Sequence, residues 1–172
     1  MHMLLRTIWV FLIRRSLPKA QFGELTRTTM RVLPIDLDLL WHVNNGMYFS
    51  FMDFGRWDMI FRNGAYDFAM SKNWYTVVVG ETIKFKRSLQ LWNKFTIETK
   101  TIGYDGKDFF IKQKFIFKDK EMATGLVRVR FLKKTGGSVS PEEVMREFGQ
   151  TLVNEATDLS SEWMGLEKKY MA

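Results

Sequence analysis

The sequence predicts an α+β fold built on an antiparallel sheet, and three stretches of patterning predict it. From Glu24, Thr26, Thr28, Met30 and Val32 alternate with Leu25, Arg27, Thr29 and Arg31, the period of a half-buried strand. The period changes at Tyr48: Tyr48, Phe51, Met52, Gly55 and Met59 fall at i, i+3, i+4, i+7 and i+11, one face of a helix. It returns to two from Trp74 to Lys134. One strand, one helix and about four meandering strands is the order these signals give.

Each element has its own local reason. Pro34 stops the first strand because it has no N–H to donate to a ladder. Arg62-Asn63-Gly64 ends the helix, a cation in the last turn followed by a residue that tolerates positive φ. Trp74–Leu89 is a long strand with Gly80 as a bulge or close-approach point. Phe95, Ile97, Thr99 and Thr101 alternate on the next strand, and Tyr104-Asp105-Gly106-Lys107 offers the Asp-Gly pair of a tight hairpin. Phe109, Ile111, Gln113, Phe115 and Phe117 share a face, and a turn follows at Asp119-Lys120. Ala123, Gly125, Val127, Val129 and Phe131 line the last long strand, with Arg128 and Arg130 opposite; the small residues leave room for a bulky neighbour. Ser140-Pro141-Glu142-Glu143 is a capping box that starts a further helix, and a short helix is expected around Trp163.

A chain of 172 residues with 46% hydrophobic and 15% aromatic side chains can fill one core. Cysteine is absent, which excludes disulfides, thiolate metal sites and a cysteine nucleophile, and suits a cytoplasmic setting. The net charge of +7 favours anionic partners: nucleic acid, an acidic membrane surface or a polyphosphate ligand such as coenzyme A. The basic residues are scattered along strands with no nucleic-acid-binding motif, so no nucleic-acid partner is expected. Residues 1–22 hold a short apolar block, Leu4 to Ile13, ending at Arg14-Arg15. The block is far shorter than the ~20 apolar residues of a membrane span. It also lacks the leader and cleavage site of a secretory signal. Its first reading is a helix packed on the domain or on a second subunit. Its second is a weak, membrane-peripheral anchor with Trp9 and Phe11 in lipid and Arg6, Arg14 and Arg15 at headgroups. The chain thus divides into this segment, a domain over 24–150 and a C-terminal extension over 151–172.

Residues Asp36 to Tyr48 read D-L-D-L-L-W-H-V-N-N-G-M-Y. Two carboxylates, a histidine and paired asparagines lie between a strand and an apolar helix, where polar groups are costly unless hydrogen-bonded or used. Asp38, then His42-Val43-Asn44-Asn45, then Tyr48 resembles the signature of the hotdog-fold thioesterases related to 4-hydroxybenzoyl-CoA thioesterase and the long-chain acyl-CoA thioesterases. The resemblance extends roughly from Thr26 to Lys134 and includes Arg56 and Phe85-Lys86-Arg87-Ser88-Leu89. Two residues depart from it. Trp41 stands where many relatives carry glycine or a small polar residue, which bears on acyl-pocket size. Asp36 is an extra acid that competes with Asp38 for assignment.

The residues themselves narrow the chemistry. No G-x-S-x-G elbow occurs, and the second histidine, His2, lies in a separate terminus, so neither a serine nucleophile nor a metal is expected. No cofactor is expected either. Carboxylate chemistry remains: Asp38 could attack a thioester or deprotonate water, with backbone N–H groups of the next helix as oxyanion donors. The resemblance implies a hotdog fold, a curved antiparallel sheet wrapped around a central helix, and an acyl-CoA thioesterase releasing free acid and CoA. It assigns Asp38, His42 and Asn45 to catalysis, and it implies a homodimer or homotetramer with the cleft between subunits. For substrate binding, Asn44 and Tyr48 lie beside the chemistry, and Lys86 and Arg87 suit the CoA phosphates. The alternatives are a non-catalytic acyl- or acyl-CoA-binding hotdog module and an acyl-carrier-protein thioesterase. Structural roles stand beside these: Asp38 as a cap or loop former, Asp36 as a turn-forming or salt-bridged acid, Glu81 at a surface or interface, and Asp53 and Asp58 solvated.

Overall fold

A computed structural model of the chain describes residues 16–156 together with Glu162, Trp163 and Lys169. The apolar block of the N-terminal segment lies outside the described residues, as does most of the extension around Trp163. Strand β1 (Thr26–Arg31) buries Thr26, Thr28 and Met30 and exposes the alternate residues. Helix α1 (Asn45–Arg62) follows, with Arg62 in its last turn and Asn63 closing it through an N–H bond to the Met59 carbonyl. A second helix, α2 (Ala65–Ser71), has no clear periodic signal in so short a span. It begins where Gly64 turns at φ 76° and Asn63 Oδ1 accepts from the Ala65 N–H at 3.0 Å.

The sheet continues with β2 (Trp74–Phe85), β3 (Lys94–Tyr104), β4 (Phe109–Phe117), β5 (Lys120–Lys133) and the short β6 (Ser138–Val139), and α3 (Pro141–Phe148) closes the domain. Every pairing is antiparallel, in the order β1-β3-β4-β5-β2, with β6 against the end of β5. Ser140 caps α3, its Oγ accepting from the Glu143 N–H at 3.1 Å.

Two glycines set how closely α1 sits on the sheet. A Cβ at Gly55 would lie 2.9 Å from both Gln113 Nε2 and Thr99 Oγ1, and one at Gly125 would lie 2.5 Å from Met52 Cε. Helix and sheet therefore meet almost backbone to side chain, and Tyr48, Phe51, Met52, Phe95, Ile97 and Phe115 fill the core between them. This is the hotdog arrangement: one long helix held against the inner face of an antiparallel sheet.

Four local readings change. Strand β2 ends at Phe85 rather than Leu89, because the Lys86 and Arg87 N–H groups both turn onto the Met122 carbonyl, at 2.8 and 2.9 Å. Its register shifts between Val78 and Gly80, so the bulge falls at Val79. The β3–β4 hairpin is not a two-residue Asp-Gly turn. Tyr104 pairs with Phe109 across a four-residue loop, and Asp105 Oδ1 builds it by accepting from the Lys107 and Asp108 N–H groups at 2.8 and 2.7 Å. Asp58 is buried rather than solvated, accepting from Thr28 Oγ1 and from Arg62 Nε at 3.0 Å.

Candidate active site

The segment between β1 and α1 is built by its own polar groups. A single 3-10 turn over Pro34–Asp36 starts it. Asp36 is fully buried; its Oδ2 accepts from the Leu33 N–H at 2.8 Å, and its carbonyl accepts from the Asn44 N–H at 2.9 Å. Leu37 then bridges Val43, and the chain reverses over Asp38 to Trp41, with the Trp41 N–H on the Asp38 carbonyl at 3.1 Å. The Asp38 carboxylate lies inside this reversal. Its Oδ1 accepts from the Leu40 N–H at 2.9 Å and the His42 N–H at 3.3 Å.

Asn44 is the N-cap of α1. Its Oδ1 accepts from the Gly46 N–H at 2.8 Å and its carbonyl from the Met47 N–H at 2.9 Å. These bonds use two of the first-turn donors of the helix. The Asn45 N–H meets no acceptor among the described residues, and Asn45 is exposed. The segment is fastened to the chain after β2 by an isolated bridge between His42 and Gln90 and by the Val43 N–H on the Leu89 carbonyl at 3.0 Å. Tyr48, buried in the first turns of α1, completes the fastening: its hydroxyl oxygen accepts from the Leu89 N–H at 3.2 Å. Burial pushes the Tyr48 phenol above its ordinary pKa, against a smaller opposing pull from that bond.

These connections enclose a cleft of ≈ 360 Å³ lined by Asp38, Leu40, His42, Val43, Asn45, Tyr48, Phe85, Lys86, Arg87 and Ser88. Asn44 is the one residue read as a site residue that does not line it, acting instead as the cap. Among the described residues, no hydrogen-bond partner meets the His42 ring. Asp36 faces Leu33 and is not part of the lining. Trp41 is exposed and also outside the lining, so it does not narrow the pocket. It adopts φ 59°, the left-handed conformation that glycine takes without cost.

Lys86 pairs with Glu121 at 2.6 Å, and Arg87 Nη1 donates to the Glu121 carbonyl at 3.0 Å. Hydrogen bonds from Lys86 and Thr124 hold the Glu121 carboxyl below its usual range. Lys86 also borders a second hollow of ≈ 380 Å³ on the sheet, which Lys84, Lys112 and Lys114 line with Glu121 and Thr124. Lys84 and Lys114 flank Thr124 in cross-strand register. Lys112 and Lys114 went unread as site residues. Their signal was present, since they occupy the alternate positions of β4 opposite Ile111, Gln113 and Phe115.

A third hollow, ≈ 180 Å³ and mainly apolar, lies between α1 and the sheet with Asp53 and Arg56 among its lining. Arg56 is buried and bonded to Gln113 Oε1 at 3.0 Å, to Asp53, and to Glu81 at 2.6 Å. Glu81 is thus one partner of a half-buried ion pair, not a free surface acid. Among the described residues, no group of three or more His, Cys, Asp or Glu side chains is placed to hold a metal ion. No helix among them is long and apolar enough to cross a membrane.

The sequence model of the thioesterase-like superfamily matches residues 32–149, a span that contains the whole cleft. The chain belongs to that superfamily. It is similar to protein THEM6 of Xenopus laevis, 40% identical over 85 residues, which is 49% of this chain and 41% of that protein. It is similar to the long-chain acyl-CoA thioesterase FadM of Escherichia coli, 29% identical over 87 residues, 51% of this chain and 66% of that one. In both cases the match spans less than two thirds of the relative's length. Among solved structures, the probable thioesterase YbaW of Escherichia coli superposes with a TM-score of 0.68 at 24% identity, over 74% of this chain and 98% of that one, a likeness of fold.

Proposed function

We propose that residues 24–150 form an acyl-CoA thioesterase whose chemistry takes place in the Asp38 cleft. The observation that carries this reading is the pairing of a carboxylate with an unused helix N–H in one cleft. Asp38 is held by backbone donors on one oxygen, and Asn45, whose N–H has no acceptor among the described residues, lines the same cleft. A thioester carbonyl seated there would place its oxygen at the Asn45 N–H, at the positive end of α1, where charge develops in the transition state. The second Asp38 oxygen delivers the nucleophile, by deprotonating a water or by attacking the carbonyl carbon itself. The C–S bond then breaks and the CoA thiolate leaves and takes up a proton. In the attack route, water hydrolyses the resulting anhydride and restores the carboxylate.

The His42 ring and Tyr48 bound the acyl and thioester portion, while Asn44 fixes the helix terminus that carries the donor. Lys86 and Arg87 meet the phosphates of CoA, with Lys84, Lys112 and Lys114 extending the positive surface. The similarity to a long-chain acyl-CoA thioesterase supports the substrate class. The working unit is at least a homodimer. Strand β2 is a twelve-residue edge with exposed Tyr75, Val78 and Val79; among the described residues its outer side is unpaired, and a second copy would cover it.

The test is free-thiol release from a panel of acyl-CoAs of different chain lengths, with release above the uncatalysed rate expected for at least one. Acyl-CoA binding without release at any length would replace this reading with a non-catalytic acyl-CoA-binding module. Release only from acyl-carrier-protein thioesters would move the substrate to that class.

A further inference from the structure

Three consecutive apolar side chains project from the reversal that carries Asp38. Leu39, Leu40 and Trp41 are 98%, 75% and 71% exposed, and Trp92 in the neighbouring loop is 54% exposed. The two turns are adjacent because His42 bridges Gln90, and the Trp92 N–H is fixed on the Val32 carbonyl at 3.1 Å. Single exposed apolar residues are ordinary, but four large ones on adjoining turns form a patch. Nothing in the geometry of the cleft requires them: only Leu40 touches it.

Cations border the patch on the side of the second turn, although one of them, Lys86, is paired with Glu121 at 2.6 Å. Residues 85–94 include Lys86, Arg87 and Lys94 and no acid, and Arg31 Nη1 donates to the Trp92 carbonyl at 3.3 Å. Of the acids of the other turn, Asp36 is buried, and Asp38 lines the cleft with one oxygen bonded to its own loop. Leucine and tryptophan at a projecting tip with a cationic rim are complementary to a bilayer surface, apolar below the headgroups and anionic at them. A second copy fits less well. Four such side chains offer on the order of 500 Å², short of the ~800 Å² per partner of a stable protein interface.

We infer that Leu39, Leu40, Trp41 and Trp92 form a tip that docks this domain on an anionic lipid surface, with the mouth of the Asp38 cleft facing the bilayer. Leu40 belongs to both the tip and the cleft wall, so docking would bring the cleft to the layer where acyl chains partition. The docking itself does not depend on turnover. It is also separate from any contribution of residues 1–22, because it rests on side chains of the folded domain.

The experiment is co-sedimentation of the full-length chain with phosphatidylcholine vesicles, with and without phosphatidylserine, compared with a Leu39→Asn/Trp41→Asn double variant. Asparagine tolerates the left-handed conformation at position 41, so the turn is kept. The unchanged protein should bind the phosphatidylserine vesicles and lose binding as salt rises. The double variant should bind about tenfold more weakly, with unfolding temperature and cleavage of a soluble short-chain thioester unchanged. Should that variant fail to fold, Leu39→Asn alone carries the test, with about a threefold loss expected. Equal binding by wild type and variant would overturn the inference, as would no binding by the wild type. So would a change in light-scattering mass with vesicle binding unaltered, which would assign the tip to a second copy.

Discussion

Asp38 and His42 bond to each other twice: the Asp38 N–H donates to the His42 carbonyl at 2.8 Å, and Asp38 Oδ1 accepts from the His42 N–H at 3.3 Å. The carboxylate is therefore oriented by main-chain donors on one oxygen rather than by a mobile cation. One oxygen holds the reversal, and in the proposed reaction the other carries the chemistry. The loop-forming role of Asp38 is thus compatible with the proposed catalytic one, since they would use different oxygens.

Asp38→Asn separates those roles. The amide oxygen can still accept from Leu40 and His42, so the unfolding temperature should stay within a degree or two of wild type, on the order of a surface substitution. The charge and the basic oxygen are lost, and kcat/KM should fall at least 100-fold, about 2.7 kcal/mol of transition-state stabilisation. Asp36→Asn should cost far less activity, because Asp36 holds the Leu33 N–H outside the cleft lining. Steady-state rates of both variants on the best substrate of the panel decide the matter, and the opposite ranking would transfer the acid to Asp36.

Tyr48→Phe tests the fastening between α1 and the chain after β2. The substitution keeps the ring in its contacts with Phe51, Phe85 and Phe115 but leaves the Leu89 N–H without its acceptor. An unsatisfied buried donor costs about 1–3 kcal/mol, to be read as a lower denaturant midpoint at unchanged slope. An unaltered midpoint would show that water replaces the hydroxyl.

Much of this architecture was legible in the sequence because it rests on local rules. The period-two and 3.6-residue patterns gave β1, α1 and the meander, Arg62-Asn63-Gly64 gave the helix end, and Ser140-Pro141 gave the start of α3. What was not legible depends on partners distant in sequence. Asp58 lies off the main apolar face of α1, yet Thr28 and Arg62 make its burial affordable. Glu81 looked like a surface acid because Arg56 lies a helix away in the chain. Trp41 looked like a pocket residue because its left-handed φ, which turns it outward, has no signature in a bulky side chain.

Charge placed on the β2 edge tests assembly. Light scattering of the wild type should give at least twice the mass of one chain, and Val78→Glu should weaken association about tenfold or more, ~1.4 kcal/mol. Val78 is exposed and does not line the Asp38 cleft, so activity lost together with mass would show that the cleft needs its neighbour. A wild-type monomer that retains full activity would end the dimer reading.

The last prediction concerns the pair of Glu81 and Arg56, 2.6 Å apart. Burial pushes the Glu81 carboxyl above its ordinary value of 4.5, and the opposing attraction of Arg56 is smaller. The sign follows from linkage. A raised folded pKa means the fold favours protonated Glu81, so its contribution is fully present below the ordinary value and is lost as pH rises through the raised one. Glu81→Gln keeps shape and an oxygen for Arg56 but does not titrate. The two proteins should be most alike below the ordinary value, and the wild type should lose ground to the variant as pH rises above it. Thermal unfolding of both over a pH series that starts below the ordinary value and rises past it provides the measurement. A wild type that instead gains on the variant as pH rises would show that the attraction of Arg56 outweighs burial and that the folded pKa lies below the ordinary value.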